Sequence, residues 1–399
     1  MGRYCGVSFH ESRRAAAIEP FYVMEILARA RQLESEGRSI VHMEIGEPDF
    51  DTPQPIVEAG VKALREGRHH YTPALGLPEL RSRVADHYLE RYGEWISAER
   101  VVITPGSSGA LQLLVALLVD PGDEVLMADP GYPCNRHFVR LFEGKTLHIP
   151  VGADSGFQLT ADLVAQYWNA NSRVVMISSP SNPTGTVIER GELERIAAFV
   201  EQHGGTLIVD EIYQGLIYGD DTVTAVNLPG PPFVVNSFSK YYGMTGWRLG
   251  WMVVAEEAVG GVDRLAQNLF LAPSTPAQYA ALAAFDAATE EILQQRRERF
   301  RRRRDMLYLA LLELGFIIER VPEGAFYLYA DCSGLTDDSS RFAMNLLEYA
   351  GVAITPGKDF AIQEPHRWVR FAYTTSTEQL RRGIERIRAY LTEQSGAAA

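Results

Sequence analysis

The spacing of apolar positions changes twice along the chain. From Phe21, FYVMEILARARQLESEG places apolar residues three to four apart and predicts an amphipathic helix. IVHMEIGEPDF then reads as strand-like until Gly46, Pro48 and Pro53 interrupt it. Helical patterns follow at 54–66 and 76–92. Beyond them the pattern becomes a series of short runs rich in Val, Ile and Leu: VVITPG at 101–106, VLMADP, VVMISSP, TLIVDE, FVVNSF and GWMVVA. Most are separated by helical segments, and ALQLLVALLV at 110–119 is apolar enough for a buried helix. Strands without polar alternation are buried on both faces, so the expected fold is α/β, a mostly parallel central sheet covered by helices. Such sheets bind ligands beyond the carboxyl ends of their strands.

The pattern changes again near residue 285. A helical stretch over 277–313 is long for a globular helix and predicts an element that spans or bends at a boundary. FIIERVPEGAFYLYADC and HRWVRFAYTT read as strands, RFAMNLLEYAG and TEQLRRGIERIRAYLTEQ as amphipathic helices. Together they predict a smaller α+β unit, ended by a loose SGAAA tail.

Composition narrows the class. The chain has 399 residues, 46% of them hydrophobic and 22% charged, enough to build one large core and a smaller one. The net charge of -13 repels a phosphate backbone and gives no basis for nucleic-acid binding. The basic run RRERFRRRR, Arg296 to Arg304, lies in a helical pattern and reads as a solvated or interface-facing surface. Cys5, Cys134 and Cys332 have neither metal-ligand spacing nor a paired framework and read as reduced thiols. No export signal or membrane-length apolar run is evident, and the expectation is a soluble, cytoplasmic protein that binds no metal.

The chemistry concentrates at strand ends. Asp210 follows TLIV, where a buried carboxylate is costly unless it meets a cation. Lys240, in SFSKYYGMTGWRLG, follows the strand-like FVVNSF and precedes glycines that disfavour a plain helix. TPGSSGA puts Gly106, Ser107, Ser108 and Gly109 at a strand-to-helix junction suited to an anion, and Ser237, Ser239 and Arg248 add hydroxyls and a guanidinium. A carboxylate for a pyridinium nitrogen, an amine for an aldehyde and a phosphate cradle point to pyridoxal 5'-phosphate. Asn182, in SSPSNPTGT, and Tyr213 could both donate to the phenolate oxygen of such a ring, and Tyr132, in DPGYP, could cover its face. Arg370, in HRWVRFAY, is the candidate clamp for a substrate α-carboxylate, while Arg367 would point to the opposite face of the strand.

These residues stand in a wider set of motifs: IGEPDF at 45–50, YTPALGLPELR at 71–81, SNPTG at 181–185, DEIY at 210–213, SFSKYYGMTGWRLGW at 237–251, EGAFYLY at 323–329 and VRFAY at 369–373. With them the chain resembles the fold-type I pyridoxal-phosphate enzymes of the class I/II aminotransferases over nearly its whole length. The resemblance implies Lys240 as the Schiff-base lysine, Asp210 as the partner of the pyridine nitrogen, Asn182 and Tyr213 as partners of the ring oxygen, and Arg370 as the carboxylate clamp. It implies a homodimer in which Tyr71 reaches the phosphate in the neighbouring subunit's site, and Gly46 against the substrate carboxylate. It also implies an N-terminal arm and helix over 1–48 belonging with the small domain, a large domain over 49–285 and a small domain over 286–399.

The expected reaction is a ping-pong transfer of an amino group from an L-amino acid to a 2-oxo acid, with Lys240 carrying the proton. Some members that prefer dicarboxylic amino acids carry a lysine where this chain has Ser108, which argues against a dedicated aspartate enzyme. Phe21, Tyr22, Tyr132 and Phe326 would suit an apolar or aromatic side chain. 2-Oxoglutarate or pyruvate as second substrate is implied by the resemblance alone. Two alternatives remain open on the residues: a carbon–sulfur β-lyase with the same cofactor, and a non-enzymatic binding domain on the same fold.

Overall fold

The computed structural model describes residues 10–219 and 223–397, so Cys5 lies outside the described residues. Its first strand, β1 (Val41–His42), belongs to the small C-terminal region rather than to the large sheet. The large sheet holds β2 (Val101–Thr104), β3 (Glu124–Asp129), β4 (Lys145–Pro150), β5 (Ser172–Ser178), β6 (Thr206–Asp210), β7 (Phe233–Ser237) and β8 (Gly250–Val253). Their order is β2-β8-β7-β6-β5-β3-β4, and only β8 runs antiparallel to its neighbours. The apolar runs occupy both faces as their lack of alternation requires. Val175 and Ile177 pack into one core, while Val174 and Met176 on the same strand pack into the other. The edge strand β4, KTLHIP, was not expected. Its Lys145 and His148 dilute the apolar signal, as suits a strand with one unpaired side.

Register sets up the site. Ser178 at the end of β5 lies opposite Asp210 at the end of β6, and Asp210 lies opposite Val235 on β7. The turns leaving β5, β6 and β7 therefore leave side by side, and they carry Asn182, Tyr213 and Lys240 respectively.

The expected helix over 277–313 is not continuous. Thr275–Leu282 ends in a tight turn over Ala283–Phe285, Asp286 is extended, and a new helix runs Ala287–Glu313. Beyond it, β9 (Tyr327–Asp331), β10 (Val352–Ala353), β11 (Thr355–Pro356) and β12 (Trp368–Ala372) follow. β11, β12 and β9 form an antiparallel sheet, and β10 pairs in parallel with β1. IVHMEIGEPDF thus forms a ladder over two residues only. Past β1, side chains take up its carbonyls: Arg370 and Thr355 donate to Glu44 O, Thr374 to Ile45 O and Lys240 to Gly46 O. No described helix is long and apolar enough to cross a membrane.

Candidate active site

A cavity of about 400 Å³ opens beyond the carboxyl ends of β5, β6 and β7. Lys240, Asp210, Tyr213, Asn182, Tyr132, Ser107, Ser108, Ser239, Arg248, Gly46 and Arg370 all line it. Four further candidates need separate comment. Gly109 lies one position further into the helix Gly106–Leu118, packed on Pro105. Ser237 is buried behind the wall, its hydroxyl donating to Ser239 Oγ at 3.0 Å and Leu249 O at 3.2 Å. Tyr71 lies outside its own chain's cavity and is 82% exposed. Arg367 sits in the turn before β12 rather than on the strand, where it neutralises the buried Asp331 at 2.6 Å.

Lys240 has an uneven environment. Its Nζ donates to Gly46 O at 2.7 Å. Burial pulls its pKa down to about 8, with Arg370 and Arg248 acting in the same direction and Glu47 and Asp210 opposing. An amine held near neutrality is both a nucleophile and a proton carrier. Asp210 is shifted the other way: burial raises it to about 6, opposed by the Ile212 N–H, which donates to its carboxylate at 3.0 Å, and by the Lys240 charge. Glu211 beside it faces away, accepting from Thr224 Oγ1 and Ala225 N. Among the described residues no His, Cys, Asp and Glu cluster is arranged to hold a metal.

Arg370 is 2% exposed and has no carboxylate within ion-pair distance among the described residues. Its Nη1 donates to Asn182 Oδ1 at 2.9 Å and its Nη2 to Glu44 O at 2.6 Å, while Nε is buried without a partner. The guanidinium lies 4.2 Å from the centre of the Tyr327 ring and 4.6 Å from that of Phe360. A buried cation held only by neutral groups favours an incoming anion. Because Asn182 uses its carbonyl oxygen on Arg370, its amide N–H groups remain for another acceptor.

At the opposite wall, Gly106 has φ +72°, and a Cβ there would come within 2.7 Å of Arg248 Nη2. Arg248 itself is held at φ +56°, a strained conformation for a residue with a side chain, and its guanidinium makes one hydrogen bond, to Thr245 O. With Ser107 and Ser108 at the start of the helix, this sets a guanidinium beside a helix N-terminus, a setting suited to an anion.

Tyr327 and Glu47 are among the residues of the site that the sequence alone does not single out. Tyr327, in the EGAFYLY motif, hydrogen-bonds Tyr213 through the two hydroxyls at 2.8 Å and covers Arg370. Glu47, in the IGEPDF motif, accepts from Thr245 Oγ1 and faces Lys240. Both sit inside recognised motifs, but only the fold brings them to the amine.

Comparison with known proteins agrees with this constellation. The family model for aminotransferase class I and II matches residues 38–387. The chain belongs to that family. It is 37% identical over 385 residues to the (5-formylfuran-3-yl)methyl phosphate transaminase of Methanocaldococcus jannaschii, covering 96% of this chain and 100% of the relative. It is 37% identical to the valine–pyruvate aminotransferase of Mycobacterium tuberculosis, covering 95% and 98%. A crystal structure of an aminotransferase from Mycobacterium tuberculosis superposes with a TM-score of 0.93 at 37% identity, covering 97% of this chain and all of that one. The architecture is that of fold-type I pyridoxal-phosphate aminotransferases, enzymes that bind their cofactor through a lysine and an aromatic pocket. The general activity of the family, amino transfer between amino and oxo acids, is therefore the activity class of this chain.

Proposed function

We propose that this aminotransferase takes an L-amino acid with an uncharged apolar or aromatic side chain, and that its cavity holds pyridoxal phosphate on Lys240. The observation that carries the reading is one cavity that combines an amine of lowered basicity with a buried carboxylate and a buried guanidinium, neither of them in an ion pair among the described residues.

When bound, pyridoxal phosphate supplies the electron sink that stabilises negative charge at the substrate Cα. Asp210 offers its carboxylate to the ring nitrogen and keeps it cationic. Ser107, Ser108, Ser239 and Arg248 hold the phosphate, and Tyr132 covers the ring. Asn182 N–H and the Tyr213 hydroxyl donate to the ring oxygen, the latter with its orientation fixed by Tyr327. Arg370 grips the α-carboxylate and so orients the Cα–H bond. Lys240, with its pKa drawn toward neutrality, takes the Cα proton and redelivers it.

The apolar preference rests on Phe21, Met24, Leu111 and Tyr132 along the wall and on Ser108 in place of a cation. Tyr71, exposed and outside the lining of its own chain's cavity, supports a homodimer in which it completes the neighbouring site.

The test is a single-turnover absorbance experiment on the purified holoenzyme with a panel of amino acids and no oxo acid. Loss of the visible cofactor band with one oxo acid formed per site, fastest for apolar or aromatic donors, is the expected result. Fastest reaction with aspartate or glutamate would overturn the substrate class. Continuous release of pyruvate and ammonia would indicate a lyase, and an unchanged spectrum a binding protein.

A further inference from the structure

The arginine run on the helix Ala287–Glu313 does not behave as one solvated face. Arg301 and Arg302 pair with Glu298 on the surface of the same helix. Arg303 instead is 6% exposed and forms a two-pronged ion pair with Asp49, at 2.7 and 2.9 Å. Its Nε is buried without a partner, so among the described residues Asp49 is its only polar anchor. Arg296 donates to Asp51 O at 2.7 Å. Between these two contacts Phe50 packs on Phe300 with ring centres 5.3 Å apart, and the guanidiniums of Arg296 and Arg303 each lie 5.1 Å from the Phe50 ring centre.

The segment held in this way is the wall above Lys240. Gly46, three residues before Asp49, accepts the Lys240 Nζ–H through its carbonyl, and Glu47 faces the same amine. Gly46 has no slack on its other side, because a Cβ there would lie 2.0 Å from Tyr327 Oη. The segment is anchored at successive points, by Thr374 on Ile45 O, by Thr245 on the Glu47 carboxylate and then by the two-pronged Arg303–Asp49 pair, in which the guanidinium is buried and the carboxylate partly exposed.

We propose that Arg303, assisted by Arg296, is a positioning residue for the reaction: through Asp49 and Phe50 it clamps the Gly46 carbonyl and the Glu47 carboxylate against Lys240. The clamp acts on the proton-carrying amine, not on substrate or cofactor directly. It rests on the assignment of Lys240 as the reactive amine, and its test does not depend on the cofactor.

The groups around Lys240 fix the direction of the effect. Glu47 and Asp210 favour the protonated amine, Arg370 and Arg248 oppose it, and the Tyr213 and Tyr327 hydroxyls are neutral with raised pKa values. Releasing the clamp loosens the Glu47 and Gly46 contacts and leaves Asp210 alone against the two arginines, so the amine loses its proton more easily.

The experiment is competitive labelling of the full-length, cofactor-free protein with acetic anhydride across pH, with Lys240 followed by peptide mass. Arg303→Met should move the labelling midpoint of Lys240 down by about half a pH unit or more, and Arg303→Lys, which keeps charge but not the fork, by less. Arg296→Gln removes a clamp contact without stranding a buried charge and should shift the midpoint in the same direction even if the Arg303 variants do not fold. In the holoenzyme, kcat should fall about 10- to 100-fold, with KM for the amino donor changing far less. An unmoved midpoint in folded variants, or one raised by water entering the cavity, would overturn the proposal. Midpoint shifts together with an inactive wild-type enzyme would leave the clamp standing and overturn the catalytic reading instead.

Discussion

Arg370 Nη1 donates to Asn182 Oδ1 at 2.9 Å, joining a strand of the C-terminal sheet to the turn that leaves β5 of the large sheet. The two residues are far apart in sequence, and the bond orients both. Arg370 is left with its charge uncompensated by any carboxylate in contact, and Asn182 with its donors free.

Truncating Arg370 should therefore weaken all amino donors together. A charge-assisted contact of this kind is worth about 2–3 kcal/mol, so Arg370→Ala should lower kcat/KM by about 30- to 150-fold for every amino acid. Arg370→Lys, which cannot reach Asn182 and Glu44 with a planar fork, should recover only part of it. Steady-state kinetics across a donor panel checks this, and a defect confined to one side-chain class would contradict the carboxylate role.

Asp210 should trade stability for function. Its folded-state pKa, raised to about 6, means that the folded chain binds this proton more tightly than the unfolded chain. It therefore withdraws stability from the cofactor-free protein as pH rises from about 4 to about 6, and the deficit persists above that. Asp210→Asn should raise the Tm of the cofactor-free protein at pH 7.5 or so, by the equivalent of about 2–3 kcal/mol, while slowing the single-turnover reaction severely. A lower Tm for the variant would show that the Lys240 charge and the Ile212 N–H outweigh the cost of burying the carboxylate.

His42 has a pH dependence of the same sign in a higher window. Its hydrogen bond to the fully buried Glu44, at 2.7 Å, raises it from 6.5 to about 9. The stabilisation is fully present below about pH 6.5 and is lost as pH rises through about 9. Replacing it, as His42→Gln, should lower Tm most at pH 6 and least near pH 9.5 or so. Thermal melts of both proteins across that window would reject the linkage if their Tm difference stayed constant.

Gly46 tolerates no side chain. The Cβ of Gly46→Ala would meet Tyr327 Oη at 2.0 Å, which forces the wall away from Lys240 or the tyrosine away from Tyr213. Loss of about 1–3 kcal/mol of stability and most of the activity is expected. The double variant with Tyr327→Phe, which removes the nearest clashing atom, should regain stability before activity. Full activity in the single variant would mean that the wall yields freely.

Much of this protein was legible before folding was considered. The runs TLIV and FVVNS declare strands through their β-branched content, and the polar groups that follow them, Asp210 at the end of β6 and Lys240 three residues past β7, fall where open sheets bind ligands. The helix expected over 277–313 was legible only in part, because the extended Asp286 that breaks it carries no glycine or proline signal. Arg303 was hidden for another reason: a residue in RRERFRRRR has the same local sequence whether it meets water or Asp49, and the distinction depends on an element 254 positions away.

The sequence by itself determined which elements form and which functional groups stand at their ends, since periodicity, strand propensity and the glycines at the junction of β2 with the following helix act locally. Only the tertiary structure decided which of those groups share one cavity. It set Tyr327 against Tyr213 and Arg370, Gly46 and Glu47 against Lys240, and Arg303 behind them. Those pairings come from the register of β5, β6 and β7 and from the return of the C-terminal sheet onto them, and the shifts of Lys240 and Asp210 come from burial, which exists only once the chain has closed.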